Sequence, residues 1–149
     1  MNTTDARLFL DTSRKLLLVI LGFGMAGTLA ELILLEHTED VLQWAPVILL
    51  ASAGAVLLWH SIGESAASLR LMRWLMCGFI AAGVAGVYFH FRGSAEFKLE
   101  SQPSLAGWAL FWQAIRAKTP PLLAPGAMVQ LGLLGFLYTY KHPLLKPRK

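Results

Sequence analysis

The chain has 149 residues, 56% of them hydrophobic and 15% charged, with a formal net charge of +4 and a mean hydropathy of +0.55. Soluble domains carry roughly 25% charged residues, so the composition argues against an ordinary water-soluble domain and for a bilayer as solvent. Lys and Arg sit at the ends of apolar runs, which argues against nucleic acid as a partner, and the single cysteine, Cys77, excludes an internal disulfide, a CxxC redox pair and a cysteine-based zinc cage.

The first apolar run covers 16–35, LLLVILGFGMAGTLAELILL, interrupted by Glu31 alone. At 1.5 Å per residue it crosses a hydrocarbon core of about 30 Å. Thr28-Leu29-Ala30 has the small-residue character of a signal-peptide cleavage site, but the run continues to Leu35 and is read as a span. Gly24, Gly27 and Thr28 mark a face for close helix packing. Glu31 is expected on that same face, where an intramembrane carboxylate is a functional candidate by default.

The turn that follows crowds Glu36, His37, Glu39 and Asp40 together. Asp40 suits the N-cap of the next span, with Gln43 three residues on to complete a capping box. Trp44 seats that helix in the headgroup layer. The second span is expected over 42–59, with Ala51 and Ala55 as a small-residue pair. The third covers 71–91 and carries Gly78, Ala82 and Gly86 at successive i+4 positions, a row suited to helix packing.

Between 92 and 121 lies the one connection long enough to hold structure of its own. Its segment 104–118, with Ser104 as cap candidate, repeats Leu105, Trp108, Trp112 and Ile115 on one helical face. An amphipathic interfacial helix is expected there, and Trp108, Phe111, Trp112 and Ile115 are the candidate partner-binding residues. A fourth span is expected over 122–140, with Gln130 as its one strongly polar side chain.

Charge sets the orientation. Nine of the 13 Lys and Arg residues flank one side: Arg7, Arg14, Lys15, Arg70, Arg73, Lys141, Lys146, Arg148 and Lys149. The positive-inside rule then places both ends in the cytoplasm of a bacterial-type inner membrane. The expected fold is all-α: one integral membrane domain, 1–149, a four-helix bundle with an extra interfacial helix between spans three and four.

Four histidines close the four spans. His37 and His90 fall at the outer face, His60 and His142 at the inner one. In a sequential ring of helices each pair lies across a diagonal, the arrangement a di-haem membrane protein would use. A divalent-metal site at the outer face would draw on Glu31, His37, His90 and Asp40. No local ligand motif supports either, so no cofactor is expected, with haem or a metal as the alternatives. Nor is there a GxSxG, P-loop or HExxH motif, and Ser52 and Ser61 lack a nearby base. The leading functional expectation is therefore a non-catalytic subunit or accessory factor of a larger membrane complex, with the bilayer and other membrane subunits as partners. The alternatives are a redox or metal-binding protein, and a proton or ion pathway through Glu31 and Gln130.

Overall fold

A computed structural model describes residues 2–118 and 123–146, and among these the chain is helical, without β-strands. Its helices are α1 (Thr3–Leu34), α2 (Trp44–Ile62), α3 (Ala66–Ser101), α4 (Gly107–Ile115) and α5 (Gly126–Thr139). Three segments are long and apolar enough to cross a membrane: Thr3–Leu34, Val41–Ile62 and Ala66–Ser101. The expected fourth span is shorter than its apolar run. Pro125 is the N-cap of α5, and a turn bonded from Gly126 N–H to the Leu123 carbonyl leads into the helix. Leu122, where that span was expected to begin, lies outside the described residues.

α1 and α3 overrun their apolar cores. Their 32 and 36 residues correspond to about 48 and 54 Å of helix. The polar connections anticipated on either side of the third span are thus largely helix. Only Gly63 to Ser65 separate α2 from α3, and Ser65 caps α3 by accepting the Ser68 N–H at 3.1 Å.

The α1–α2 turn is built as its sequence suggests. Leu42 N–H donates to Asp40 Oδ1 at 3.4 Å, while Asp40 N–H donates to Gln43 Oε1 at 3.3 Å, a capping box on the 3₁₀ turn Val41–Gln43. Trp44 Nε1 donates to the Thr38 carbonyl at 3.1 Å and closes the turn. α1 itself stops through Glu36, whose φ of 51° is left-handed. With that residue reversed, Glu36 N–H reaches the Ile33 carbonyl and His37 N–H the Leu32 carbonyl, a Schellman end.

The helices form a ring. α1 packs on α2 and α5, and α3 packs on α2, α5 and α4. Leu21, Met25, Leu50, Ala53, Val56, Met72, Met76, Phe79, Met128 and Leu131 fill its axis. Close approach of α3 and α5 depends on glycine. A side chain at Gly83 would meet Val129 Cγ2 at 2.6 Å and the Pro125 carbonyl at 2.9 Å, and one at Gly132 or Gly135 would meet Met76. Of the residues expected to pack helices, Gly24 faces Leu131 of α5, Gly78 faces Leu49 of α2, Gly86 faces Pro125, and Ala82 is half-buried beside the core. Ala51 and Ala55 point outward instead.

α4 is shorter than the 104–118 expected. Ser104 lies in the preceding turn, Ala106 is the N-cap, and Gly107 takes a positive φ of 56° where the chain changes direction. The helix folds back along α3, bringing Phe111 to 5.6 Å from Phe91. α5 thus covers the first two-thirds of α3, and α4 covers the rest.

Candidate functional site

The end of the ring where α2 stops, α3 starts and α5 stops is called proximal here. Four polar side chains are buried there: His60, Ser68, Thr139 and His142. His60 is the hub. Its Nδ1 lies 2.8 Å from Ser68 Oγ and its Nε2 lies 2.8 Å from Tyr138 Oη. Ser68 Oγ also donates to the Ser65 carbonyl at 2.9 Å. A hydroxyl has one proton, so that bond leaves Ser68 to accept from His60 Nδ1–H. The bond pattern then assigns Nε2 as the unprotonated nitrogen, accepting the Tyr138 hydroxyl proton. His60 therefore sits neutral and fully partnered, and the Tyr138 bond ties α2 to α5 across the ring's diagonal.

His142 stands against this hub. Its ring centroid is 6.0 Å from that of His60 at 75°, and 5.6 Å from that of Tyr138. Its Nδ1 accepts the Leu144 N–H at 3.4 Å, capping the short turn Pro143–Leu145. Burial lowers the His142 pKa first, with the nearby Arg14 and His60 pushing the same way and Glu64 opposing them. The imidazole is thus held neutral in a low-dielectric, cation-flanked setting.

The expected diagonal histidine pair at this end does meet, yet its chemistry is poor for haem. Ligation needs a free lone pair on each imidazole. Both His60 nitrogens are already bonded to protein, and Nδ1 of His142 is used as a cap. The residues present do not fit the group. Ser68 and His60 also resemble a nucleophile and its base, but Ser68 is fully buried within the first turn of α3, out of a substrate's reach.

Sequence reasoning missed Ser68 and Tyr138. No helical spacing could have signalled the Tyr138–His142 contact, because α5 ends at Thr139 and the extended Tyr140 and left-handed Lys141 intervene.

At the distal end, His37 and His90 are both half-buried. Desolvation lowers the His37 pKa, and the charge of His90 lowers it further, so the two imidazoles lie within each other's field. The carboxylates do not join them. Glu31 is exposed on the outer surface of α1 rather than on its packing face, and Asp40 is exposed and spent on its cap. The reason for Glu31 is the late start of α5. Gly24 touches Leu131, and Glu31 lies about 10 Å farther along α1, past the level where α5 begins. Gln130 is likewise exposed, so Glu31 and Gln130 share no internal path. Among the described residues no three of His, Cys, Asp and Glu are grouped to hold a metal ion.

Trp108 and Trp112 turn away from α3, while Phe111 packs beside Phe91. Trp108, Phe111 and Trp112 are 72%, 38% and 48% exposed, while Leu110, Gln113 and Ala114 face inward with Ile115 half-buried. Trp108 stacks on Phe111 at 5.0 Å and on Trp112 at 6.0 Å, and the Arg116 guanidinium lies 5.9 Å from the Trp112 ring. Under α4, Ser94 Oγ is buried with no partner among the described residues.

No family model, curated protein or solved structure was found to match the chain.

Proposed function

We propose that the chain is a small multi-pass inner-membrane protein, a four-helix bundle with both ends cytoplasmic, that serves as a non-catalytic subunit or accessory factor of a larger membrane assembly. The observation that carries this reading is α4: in a stack of three aromatic rings, Phe111 rests beside Phe91 of α3 while Trp108 and Trp112 are presented outward. Aromatic side chains of this kind are the anchors that protein partners bury, because they offer large area at low conformational cost. The uncovered Glu31 supports the same reading, since a carboxylate on a lipid-facing helix costs a few kcal/mol until a neighbour pairs with it. The excess of Lys and Arg at the proximal end supports cytoplasmic termini.

Gentle solubilisation and sizing test the proposal. The expected result is a particle larger than the monomer containing a second polypeptide, lost in the double variant Trp108→Ala/Trp112→Ala while α-helical content is retained. A monomer, or self-association alone, would overturn it.

A metal-binding or redox role is the second reading, supported by the closeness of His37 and His90. Elemental analysis and an absorption spectrum of the pure protein decide it: stoichiometric metal or a Soret band is required, and their absence removes it.

A further inference from the structure

The proximal end also holds a cleft of about 530 Å³ between the start of α1 and the segment after α5. Arg7, Asp11, Arg14, Tyr140, Lys141 and Lys146 line it, four cations against one carboxylate. The positions on α1 follow from helical spacing: Arg7, Asp11 and Arg14 recur at i, i+4 and i+7 and share one face. The two lysines come from the other wall. Arg14 Nη2 donates to the Lys141 carbonyl at 3.4 Å and so joins the walls, while Lys141 holds a left-handed φ of 46°. Lys141 Nζ lies 5.3 Å from the Tyr140 ring centroid. Arg14 Nη1 lies 3.8 Å from Asp11, so this guanidinium braces the cleft, and Arg7 is the arginine left exposed along it.

We infer that this cleft is a binding site for the phosphate of an anionic phospholipid headgroup. Three observations converge on that chemistry. Arg7, Arg14, Lys141 and Lys146 line one concave space whose positive charge matches a phosphodiester, with Arg7 able to supply bidentate geometry. The cleft is not purely polar, because Leu10 and Pro143 add apolar wall suited to the glycerol and upper acyl region. It also lies immediately before the apolar run that starts at Leu16, the depth at which headgroups lie if α1 crosses the bilayer. A basic pocket between helices on the cytoplasmic side is the expected form of such a site. The inference rests on the membrane reading and not on the accessory role.

The test uses the full chain in detergent, titrated with short-chain phosphatidylglycerol, short-chain phosphatidylcholine or inorganic phosphate, and read by intrinsic fluorescence or native mass spectrometry. Phosphatidylglycerol is expected to bind at least tenfold more tightly than phosphatidylcholine. Arg7→Gln/Lys146→Gln, two exposed side chains outside the hydrogen-bonded core, is expected to weaken that binding by roughly tenfold. Arg70→Gln/Arg73→Gln removes the same charge from a separate cleft at the same end and is expected to leave it unchanged. Equal binding of the two lipids, or equal loss in both double variants, would overturn the site in favour of diffuse charge attraction. Inorganic phosphate binding as tightly as the lipid would overturn the headgroup assignment and make free phosphate the ligand. A chain that proves monomeric yet keeps the lipid preference contradicts the accessory role alone, whereas a chain that extracts into buffer without detergent contradicts the membrane reading beneath both.

Discussion

At the scale of single residues, the proximal network couples stability to pH. A histidine in the unfolded chain takes up a proton near pH 6.5, whereas burial and Arg14 hold His142 below that value in the fold. The unfolded state therefore binds more protons as pH falls, and the stabilisation present above about pH 6.5 is lost as pH drops through the folded pKa. Thermal unfolding in detergent is expected to shift to lower temperature from pH 7.5 to 5.5, and His142→Gln is expected to flatten that slope. A second residue-scale expectation concerns Glu36, whose left-handed φ of 51° suits glycine better than any side chain with a Cβ. Glu36→Gly should raise stability by about 1 kcal/mol, read as an upward shift in unfolding temperature. The capping role of Asp40 was legible because it depends on spacing within one turn. The outward position of Glu31 was not, because it depends on where α5, more than ninety residues away, begins.

At the scale of elements, α3 organises the molecule, with α5 and α4 laid end to end along it. The seam with α5 is closed at Gly83, where Val129 Cγ2 and the Pro125 carbonyl leave no room for a methyl group. Gly83→Ala is expected to lower stability by about 1–3 kcal/mol through backbone displacement. Gly93→Ala, on the same helix with open space around it, is expected to be neutral or slightly stabilising. Paired thermal melts check both. The sequence row Gly78, Ala82, Gly86 looks like one seam, but Gly78 serves α2 and Gly86 serves α5. Eight residues carry a helix about 80° around its axis, so an i+4 row drifts from one neighbour to the next. Gly83 hid among the small residues of AAGVAG, which present a similar pattern on several faces. The span lengths were blurred for a different reason: hydropathy marks where a helix is apolar, and α1 and α3 go on well past that.

At the scale of the whole molecule, the two ends of the ring have different characters. The proximal end is locked by His60, Ser68 and Tyr138 and rimmed with cations, including the cleft whose affinity for an anionic headgroup is expected to fall with Arg7→Gln/Lys146→Gln. The distal end carries the α1–α2 turn, the exposed Glu31 and the aromatic side of α4. Such a polarity suits a protein fixed to the bilayer at one face and to a partner at the other. The helical, membrane-like nature of the chain was readable from composition and run length, since both are global sums that tolerate local error. The proximal network was less so, because it assembles from residues separated by as many as 78 positions. Photocrosslinking in intact membranes, with a photoreactive residue replacing Trp108 and, as control, Trp74, tests partner docking on α4 most directly. A discrete adduct with a second polypeptide is expected from position 108 and none from position 74. Adducts with lipid alone, or the same polypeptide captured equally from both positions, would contradict it.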